Sequence, residues 1–158
     1  MSRLSALLKP SGDFGGFHWQ INTWSQLREG ATAVREAVFV REQNVPAEVE
    51  MDEHDVEAVH ILVVDQNNEP VATARMIKEG EGVSRIGRMA VLFKYRGEGL
   101  GKLMLTELMQ FAKRRRDKTI VLHAQSHAVG FYKKYGFSMQ GEPFTEAGIP
   151  HVKMSAQV

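Results

Sequence analysis

An alternating apolar segment, a glycine-rich turn and an amphipathic segment follow one another in the second half of the chain, and this run constrains the fold most. GVSRIGRMAVL, residues 82–92, predicts a strand. LGKLMLTELMQFAKRRR, residues 100–116, predicts a helix with one apolar face made of Leu100, Leu103, Met104, Leu108, Phe111 and Ala112. TIVLHA, residues 119–124, predicts the next strand. Because a helix joins these two strands, they should lie parallel in one sheet.

The early strands are joined by tight turns and should therefore pair antiparallel. VHILVVD and VATARMIK flank the turn residues QNNEP as in a β-hairpin, and GFSMQGEPF with IPHVKM predicts a closing antiparallel ribbon. The other predicted elements are a strand at residues 17–22, a long helix from Thr23 to about Gln43, an acidic loop or short irregular helix in VEMDEHDVEAV, and a short helix in HAVGFYKKY. The sequence thus predicts an α/β fold of the α+β kind with a mixed, mostly antiparallel sheet.

Length and composition fit one domain. With 158 residues, 43% of them hydrophobic, the chain can bury one substantial core. We expect a flexible N-terminal tail at residues 1–16 and a single domain at residues 17–158. The 20 basic and 19 acidic side chains nearly cancel, so no overall field favours nucleic acid or an anionic membrane. The run KRRR at residues 113–116 is interpreted as cations at a helix C-terminus.

Several classes of site are excluded by what the chain lacks. It has no cysteine, which excludes disulfides, thiolate nucleophiles and Cys-ligated metals. With no secretory pattern in its first residues either, we expect a cytoplasmic protein. No apolar run approaches the ~20 residues of a membrane span. The histidines show no metal-ligand spacing, so we expect no metal.

The turn KYRGEGLG, residues 94–101, lies where a strand leads into a helix. Unpaired amide N–H groups and the helix dipole point at the same spot there, which suits an anion. A nucleotide P-loop needs a glycine where Arg96 stands and a hydroxyl where Leu103 stands, and a dinucleotide fingerprint needs a glycine at Lys102. A plain entry into a helix would need one glycine only. The pattern that fits is Arg96-x-x-Gly99-x-Gly101.

This pattern resembles the R/Q-x-x-G-x-G/A pyrophosphate loop of the Gcn5-related N-acetyltransferase (GNAT) superfamily, which binds acetyl-coenzyme A. GFYKKYGF, residues 130–137, is similar to that superfamily's second signature, and the predicted strand order also agrees. REAVFVREQNVPAEVEMDEHD and GEPFTEAGIPHVKM resemble the ElaA-like branch, which has no generally agreed acceptor. The resemblance implies a GNAT-like acyl-CoA N-acyltransferase fold, with a splayed central sheet and helices on both faces.

The resemblance also implies where acetyl-CoA binds. Backbone amides from Arg96 to Lys102 would hold the pyrophosphate, and the side chains of Arg96, Lys102 and Lys94 would add positive charge. The pantetheine arm would lie beside a strand edge, and Val91 N–H would donate to the thioester oxygen. The implied cofactor-binding residues are Met89, Ala90, Val91, Arg96, Gly97, Glu98, Gly99, Leu100, Gly101, Lys102 and Tyr132.

The same resemblance implies roles in catalysis for two residues, and for each of them a purely structural role is the alternative. Tyr132 matches the general acid for the leaving thiolate, and otherwise is a buried tyrosine bonded to a backbone carbonyl. Glu42 is a candidate general base, and otherwise a solvated residue at a helix end. The expected acceptor side is formed by Asp52, Asp55, His123 and Gln125, with the aspartates offering an acidic patch for a cationic amine.

The sequence therefore predicts an N-acetyltransferase that moves an acetyl group from acetyl-CoA to a small-molecule or peptide amine by direct transfer in a ternary complex. The alternative is a non-catalytic acyl-CoA-binding regulatory module, and a weaker reading is an ATP-dependent enzyme. No nucleic acid or membrane partner is expected. The closing ribbon, residues 139–154, offers an edge for a homodimer, although a lone edge suits a monomer equally.

Overall fold

The computed structural model describes residues 10–47 and 51–158. Within these residues, eight strands form one sheet and three α-helices pack on it. The strands are β1 (Ser11–Phe14), β2 (Phe17–Thr23), β3 (Val59–Val64), β4 (Pro70–Gly80), β5 (Val83–Val91), β6 (Thr119–Gln125), β7 (Ser138–Glu146) and β8 (Ile149–Gln157). The helices are α1 (Trp24–Arg35), α2 (Leu100–Arg114) and α3 (Val129–Lys133).

The sheet is mixed and mostly antiparallel, as the sequence predicts. Its order is β1-β2-β3-β4-β5-β6-β8-β7. The β5–β6 pair is parallel and every other pair is antiparallel. The parallel pair is the one that α2 joins, because a helical crossover returns the chain to the same end of the sheet. The closing ribbon inserts with its second strand, β8, against β6.

Helices cover both faces of the sheet. The apolar face predicted for α2 is confirmed, since Leu100, Leu103, Met104, Leu108, Phe111 and Ala112 are all buried. It packs in one cluster with Ile61 and Val63 of β3. On the opposite face, Gly30 of α1 lies so close to Leu62 that a Cβ there would be 2.6 Å from Leu62 Cδ2. Each fully buried Leu side chain stabilises the fold by about 1.5–3 kcal/mol.

The end of α1 is wider than a regular helix. The chain continues from α1 as a π-helical stretch, Glu36–Glu42, and Gln43 N donates to Val38 O, five residues back, at 3.0 Å. Such wide turns are rare and often mark functional sites. This one brings Glu42 and Gln43 to the cleft described below.

Ordered structure begins before the predicted domain boundary at residue 17. Ser11–Phe14 form β1, which pairs with β2 through a tight turn at Gly15, whose φ is 58°. The predicted tail is therefore wrong for these residues, because pairing with β2 supplies the backbone hydrogen bonds that a tail lacks. Residues 1–9 lie outside the described residues. In the acidic segment, Glu53–Asp55 form a single 3₁₀ turn and residues 48–50 are outside the described part. No helix among the described residues is long and apolar enough to cross a membrane.

Candidate functional site

The cleft begins where β5 and β6 separate. Their parallel pairing joins residues 83–86 to residues 119–122, but β5 continues to Val91 and β6 to Gln125. Arg88 has a φ of 52°, and it lies where the register of β5 against β4 shifts. A bulge of this kind bends its strand. The two strands therefore diverge, and a cleft of about 740 Å³ opens between them.

The open edge of β5 offers backbone groups to this cleft. Leu92 N donates to Val71 O at 2.9 Å on the β4 side. Because successive residues of a strand point their N–H groups to opposite sides, Val91 N–H points toward the cleft. Met89, Ala90 and Val91 all line it. These are the residues predicted to lie along the pantetheine arm.

The glycine loop that follows β5 is rich in free amides. A 3₁₀ turn at Phe93–Tyr95 leads into the loop, and Gly97 and Gly99 adopt left-handed φ values of 85° and 83°. Across the described chain, no amide N–H from Gly97 to Lys102 donates to a backbone carbonyl. The positive end of the α2 dipole lies at the same point. This arrangement fits a phosphate group, as predicted from the sequence.

Arg96 and Glu42 bind each other rather than standing apart. Arg96 Nη1 and Nη2 donate to the two carboxylate oxygens of Glu42, both at 2.8 Å. Arg96 Nε donates to Val91 O at 2.9 Å, and the guanidinium lies 5.4 Å from the centre of the Phe93 ring. The residue predicted to bind phosphate, Arg96, and the residue predicted to act as the base, Glu42, thus form an ion pair with each other. They link the end of the π-helical stretch to the glycine loop.

Tyr132 lines the cleft from α3, opposite the open edge of β5. Its hydroxyl contacts Met89 Sδ at 3.7 Å, and its ring packs edge-on against Phe131 and Phe137. Thioether sulfur is a weak acceptor, so the hydroxyl remains able to donate to another group. Burial raises the pKa of Tyr132 to about 12, and the phenol therefore keeps its proton at neutral pH. The alternative of a bond to a backbone carbonyl is not what the structure has.

An arginine–aspartate cluster closes one end of the cleft; its members are Arg35, Asp52, Asp55, Arg75 and Arg88. Arg35 donates to both oxygens of Asp55 at 2.7 and 3.1 Å, and Arg75 Nη1 donates to Asp55 at 2.9 Å. Arg75 also donates to both oxygens of Asp52, at 2.6 and 3.0 Å, and Arg88 Nη2 adds a bond at 3.0 Å.

This cluster corrects the expectation of an acidic patch for the acceptor. Asp55 is 2% exposed and does not line the cleft. Asp52 does line it, but partial burial, which alone would raise its pKa, is outweighed by hydrogen bonds and charges of Arg75 and Arg88, which lower the pKa to about 2. Both carboxylates therefore neutralise arginines. A sequence cannot reveal this, since the pairs join residues 20 to 36 positions apart.

Gln125 is tied to the end of the π-helical stretch. Its side-chain amide exchanges two hydrogen bonds with that of Gln43, at 3.2 and 3.1 Å, and His127 Nε2 lies 2.8 Å from Gln125 Oε1. All three residues line the cleft. The predicted acceptor-side residue is thus at the cleft, where it bridges β6 and the α1 side.

His123 also lines the cleft and has a partner that the sequence analysis missed. Its Nδ1 lies 3.0 Å from Glu146 Oε1, and the ring packs edge-on against Phe144. The other carboxylate oxygen of Glu146 lies 3.9 Å from His151 Nε2. Glu146 and His151 both belong to the segment GEPFTEAGIPHVKM, which the sequence singles out by its resemblance to the ElaA-like branch but to which it assigns no role at the site. Among the described residues, no three His, Asp or Glu side chains form a group able to hold a metal.

Comparisons with known proteins agree with this geometry. A family model described as Acetyltransferase (GNAT) domain matches residues 27–158. The Bacillus subtilis "Uncharacterized N-acetyltransferase YjcF" is 43% identical over 131 residues, which cover 82% of this chain and 91% of that protein.

Two solved structures have the same fold. Escherichia coli ElaA superposes with a TM-score of 0.79 and 32% identity, covering 89% of this chain and 99% of that one. An acyl-CoA N-acyltransferase from Pseudomonas aeruginosa superposes with a TM-score of 0.80 and 29% identity, again over 89% of this chain and 99% of that one. The residues that the family model matches, 27–158, include every strand that borders the cleft.

Proposed function

The chain belongs to the GNAT acetyltransferase family, and from this we propose that it transfers an acetyl group from acetyl-CoA to an amine by direct transfer in a ternary complex. One observation supports this proposal above the others. The separated strands β5 and β6 form a cleft that reaches the glycine loop at Arg96 and Gly101, where the amides from Gly97 to Lys102 donate to no backbone carbonyl of the described residues. Acetyl-CoA is an extended thioester with a diphosphate at one end, so its extended arm matches the cleft and its diphosphate matches the loop amides.

Binding of the donor is divided between backbone and side chains. The amide N–H groups of the glycine loop donate hydrogen bonds to the diphosphate, and Lys102, which is exposed, adds positive charge. Residues 89–91 offer a strand edge to the amide groups of the pantetheine arm. Arg96 supports the loop through Val91 O and Glu42, so its main contribution is to hold the loop in place.

The chemistry needs a donor to the thioester oxygen and a proton for the leaving sulfur. Val91 N–H points into the cleft and stabilises negative charge on that oxygen. Tyr132 supplies the proton, because its hydroxyl is protonated at neutral pH and has only a weak acceptor, Met89 Sδ. The chain has no cysteine for an acyl-enzyme, which favours direct transfer.

The competing proposal is a non-catalytic module that binds acyl-CoA. It shares the loop and the open strand edge, and it differs in needing no proton donor. Tyr132→Phe separates the two, with Tyr135→Phe as the matched control, because Tyr135 also packs on Phe131 but does not line the cleft.

We expect Tyr132→Phe to bind acetyl-CoA with unchanged affinity by calorimetry and to lose roughly 100-fold or more in kcat, measured by thiol release with a panel of amino acids, polyamines, aminoglycosides and short peptides. Tyr135→Phe should stay within about three-fold of the parent on that assay. Acetyl-CoA binding without any thiol release by the parent would favour the binding module.

A further inference from the structure

The cleft contains a histidine–carboxylate pair on its acceptor wall. His123 is the first residue of β6 beyond the last pair with β5, Ile86 opposite Leu122. Its side chain is 26% exposed and lines the cleft. It is therefore placed where the two strands begin to open, beside the expected position of the reacting carbonyl.

Hydrogen bonding fixes which ring nitrogen of His123 is basic. A carboxylate can only accept, so Nδ1, at 3.0 Å from Glu146 Oε1, is the nitrogen that holds the proton. Within residues 10–47 and 51–158, Nε2 has no hydrogen-bond partner. In the neutral ring this leaves a lone pair on Nε2.

His151 lies beside the second carboxylate oxygen of Glu146. His151 Nδ1 lies 2.7 Å from Ile149 O and must donate to it, because a carbonyl only accepts. This fixes the His151 ring with Nε2 toward Glu146 Oε2, at 3.9 Å. Protonation of either histidine would place a positive charge against the same carboxylate.

The other acids at the cleft are already engaged. Both oxygens of Glu42 accept from Arg96, and both oxygens of Asp52 accept from Arg75. His54, which also lines the cleft, is exposed and lies on the 3₁₀ turn that Asp52 caps, and its ring forms no ion pair with a carboxylate of the described residues.

We propose that His123 is the general base of the acetyl transfer and that Glu146 is its positioning residue. This inference rests on the proposed function. As the amine forms a C–N bond to the carbonyl carbon, its nitrogen gives one proton to His123 Nε2. The C–S bond breaks, and Tyr132 gives its hydroxyl proton to the sulfur. His123 then loses its proton to solvent and Tyr132 regains one, so amine and thioester become amide and thiol.

Charged groups on the flanking elements act on this proton transfer. Glu146 on β7 stabilises the imidazolium that forms, whereas Lys153 of β8, opposite His123 in the register, opposes it. His151 on β8 and the arginines Arg85 and Arg88 on β5 also line or border the cleft. A pH profile therefore reports on this whole set, and the variants below isolate His123.

The first test needs no acceptor. Long-range ¹H–¹⁵N spectra of the histidine rings should show neutral His123 with its proton on Nδ1, and Glu146→Ala should abolish that preference. His18 is the internal control, since its Nδ1 also lies 2.9 Å from a carboxylate, Asp13, on the distant β1–β2 edge. A proton on Nε2 of His123 in the parent protein would overturn the inference.

The second test measures acetyl-CoA binding by calorimetry and thiol release with the amine panel. His123→Ala should retain acetyl-CoA affinity and lose roughly 100-fold or more in kcat, with partial recovery on adding imidazole. Glu146→Ala should lose roughly ten-fold or more in kcat and move the acid limb of the kcat profile to lower pH, because the imidazolium loses its neighbouring carboxylate. His18→Ala, the control, should match the parent.

Failures of the two proposals differ in kind. A parent that releases thiol while His123→Ala keeps kcat within three-fold would overturn the assignment of the base and leave the acetyltransferase proposal intact. A parent that fails to bind acetyl-CoA would contradict the proposed function, and the inference with it.

Discussion

Replacing Asp55 by Asn tests the arginine–aspartate cluster that supports one end of the cleft. Asp55 receives three hydrogen bonds, two from Arg35 and one from Arg75. Its side chain is 3% exposed, and those of Arg35 and Arg75 are 1% and 5% exposed. The substitution removes the negative charge that both of these buried arginines contact.

Removing one partner of a buried ion pair costs about 3–5 kcal/mol, because it leaves charge without compensation. For a chain of 158 residues, each kcal/mol corresponds to a shift of about 2–4 °C in Tm. We therefore expect Asp55→Asn to lower Tm by roughly 10 °C. Urea denaturation gives the free energy of unfolding directly, and calorimetry should find acetyl-CoA affinity unchanged.

The matched control is Asp13→Asn. Asp13 also pairs with a basic residue, His18, but its side chain is 85% exposed, so the loss should stay under about 1 kcal/mol. If Asp55→Asn destabilised the protein no more than Asp13→Asn does, the buried network would not hold this end of the cleft as argued.

Two further predictions concern His60 and Glu42. Burial lowers the pKa of His60 to about 4 from 6.5. Between these two pH values the unfolded chain binds a proton that the folded chain does not. The free energy of unfolding should therefore be highest above about pH 6.5 and should fall by about 2 kcal/mol between pH 7 and pH 5. Urea denaturation at both pH values should show this loss in the parent and in the control variant His18→Gln. His60→Gln should lack it, and a loss of equal size in His60→Gln would contradict the assignment to His60. Glu42→Gln should keep kcat within about three-fold, since both carboxylate oxygens already accept from Arg96. A 100-fold fall in thiol release at unchanged KM would instead make Glu42 the base.

The fold was largely predictable because local patterns determine it. The apolar face of α2 and the strands around it required β5 and β6 to be parallel, and the structure confirms both. The glycine spacing at Arg96 to Gly101 likewise indicated the loop of free amides. These features depend on neighbours in sequence, which a single chain displays.

The missed features depend on contacts between distant residues. Arg96 and Glu42 are 54 positions apart, and His123 and Glu146 are 23 apart. An acidic stretch such as Asp52 to Asp55 has the composition of a solvated loop, and only the packing of α1 against β4 shows that arginines neutralise it. The π-helical stretch after α1 also has no local sequence signal of its own.

We expect the glycine loop between the separated strands to bind the diphosphate of acetyl-CoA. A ¹H–¹⁵N titration of the labelled protein with acetyl-CoA, with NAD in parallel, tests this binding site residue by residue. Acetyl-CoA should produce the largest amide shifts at Gly97 to Lys102 and at Val91, and NAD at equal concentration should not reproduce the shift at Val91. If acetyl-CoA shifted amides elsewhere in the protein and left those of Gly97 to Lys102 and Val91 unchanged, the diphosphate would not bind at the glycine loop.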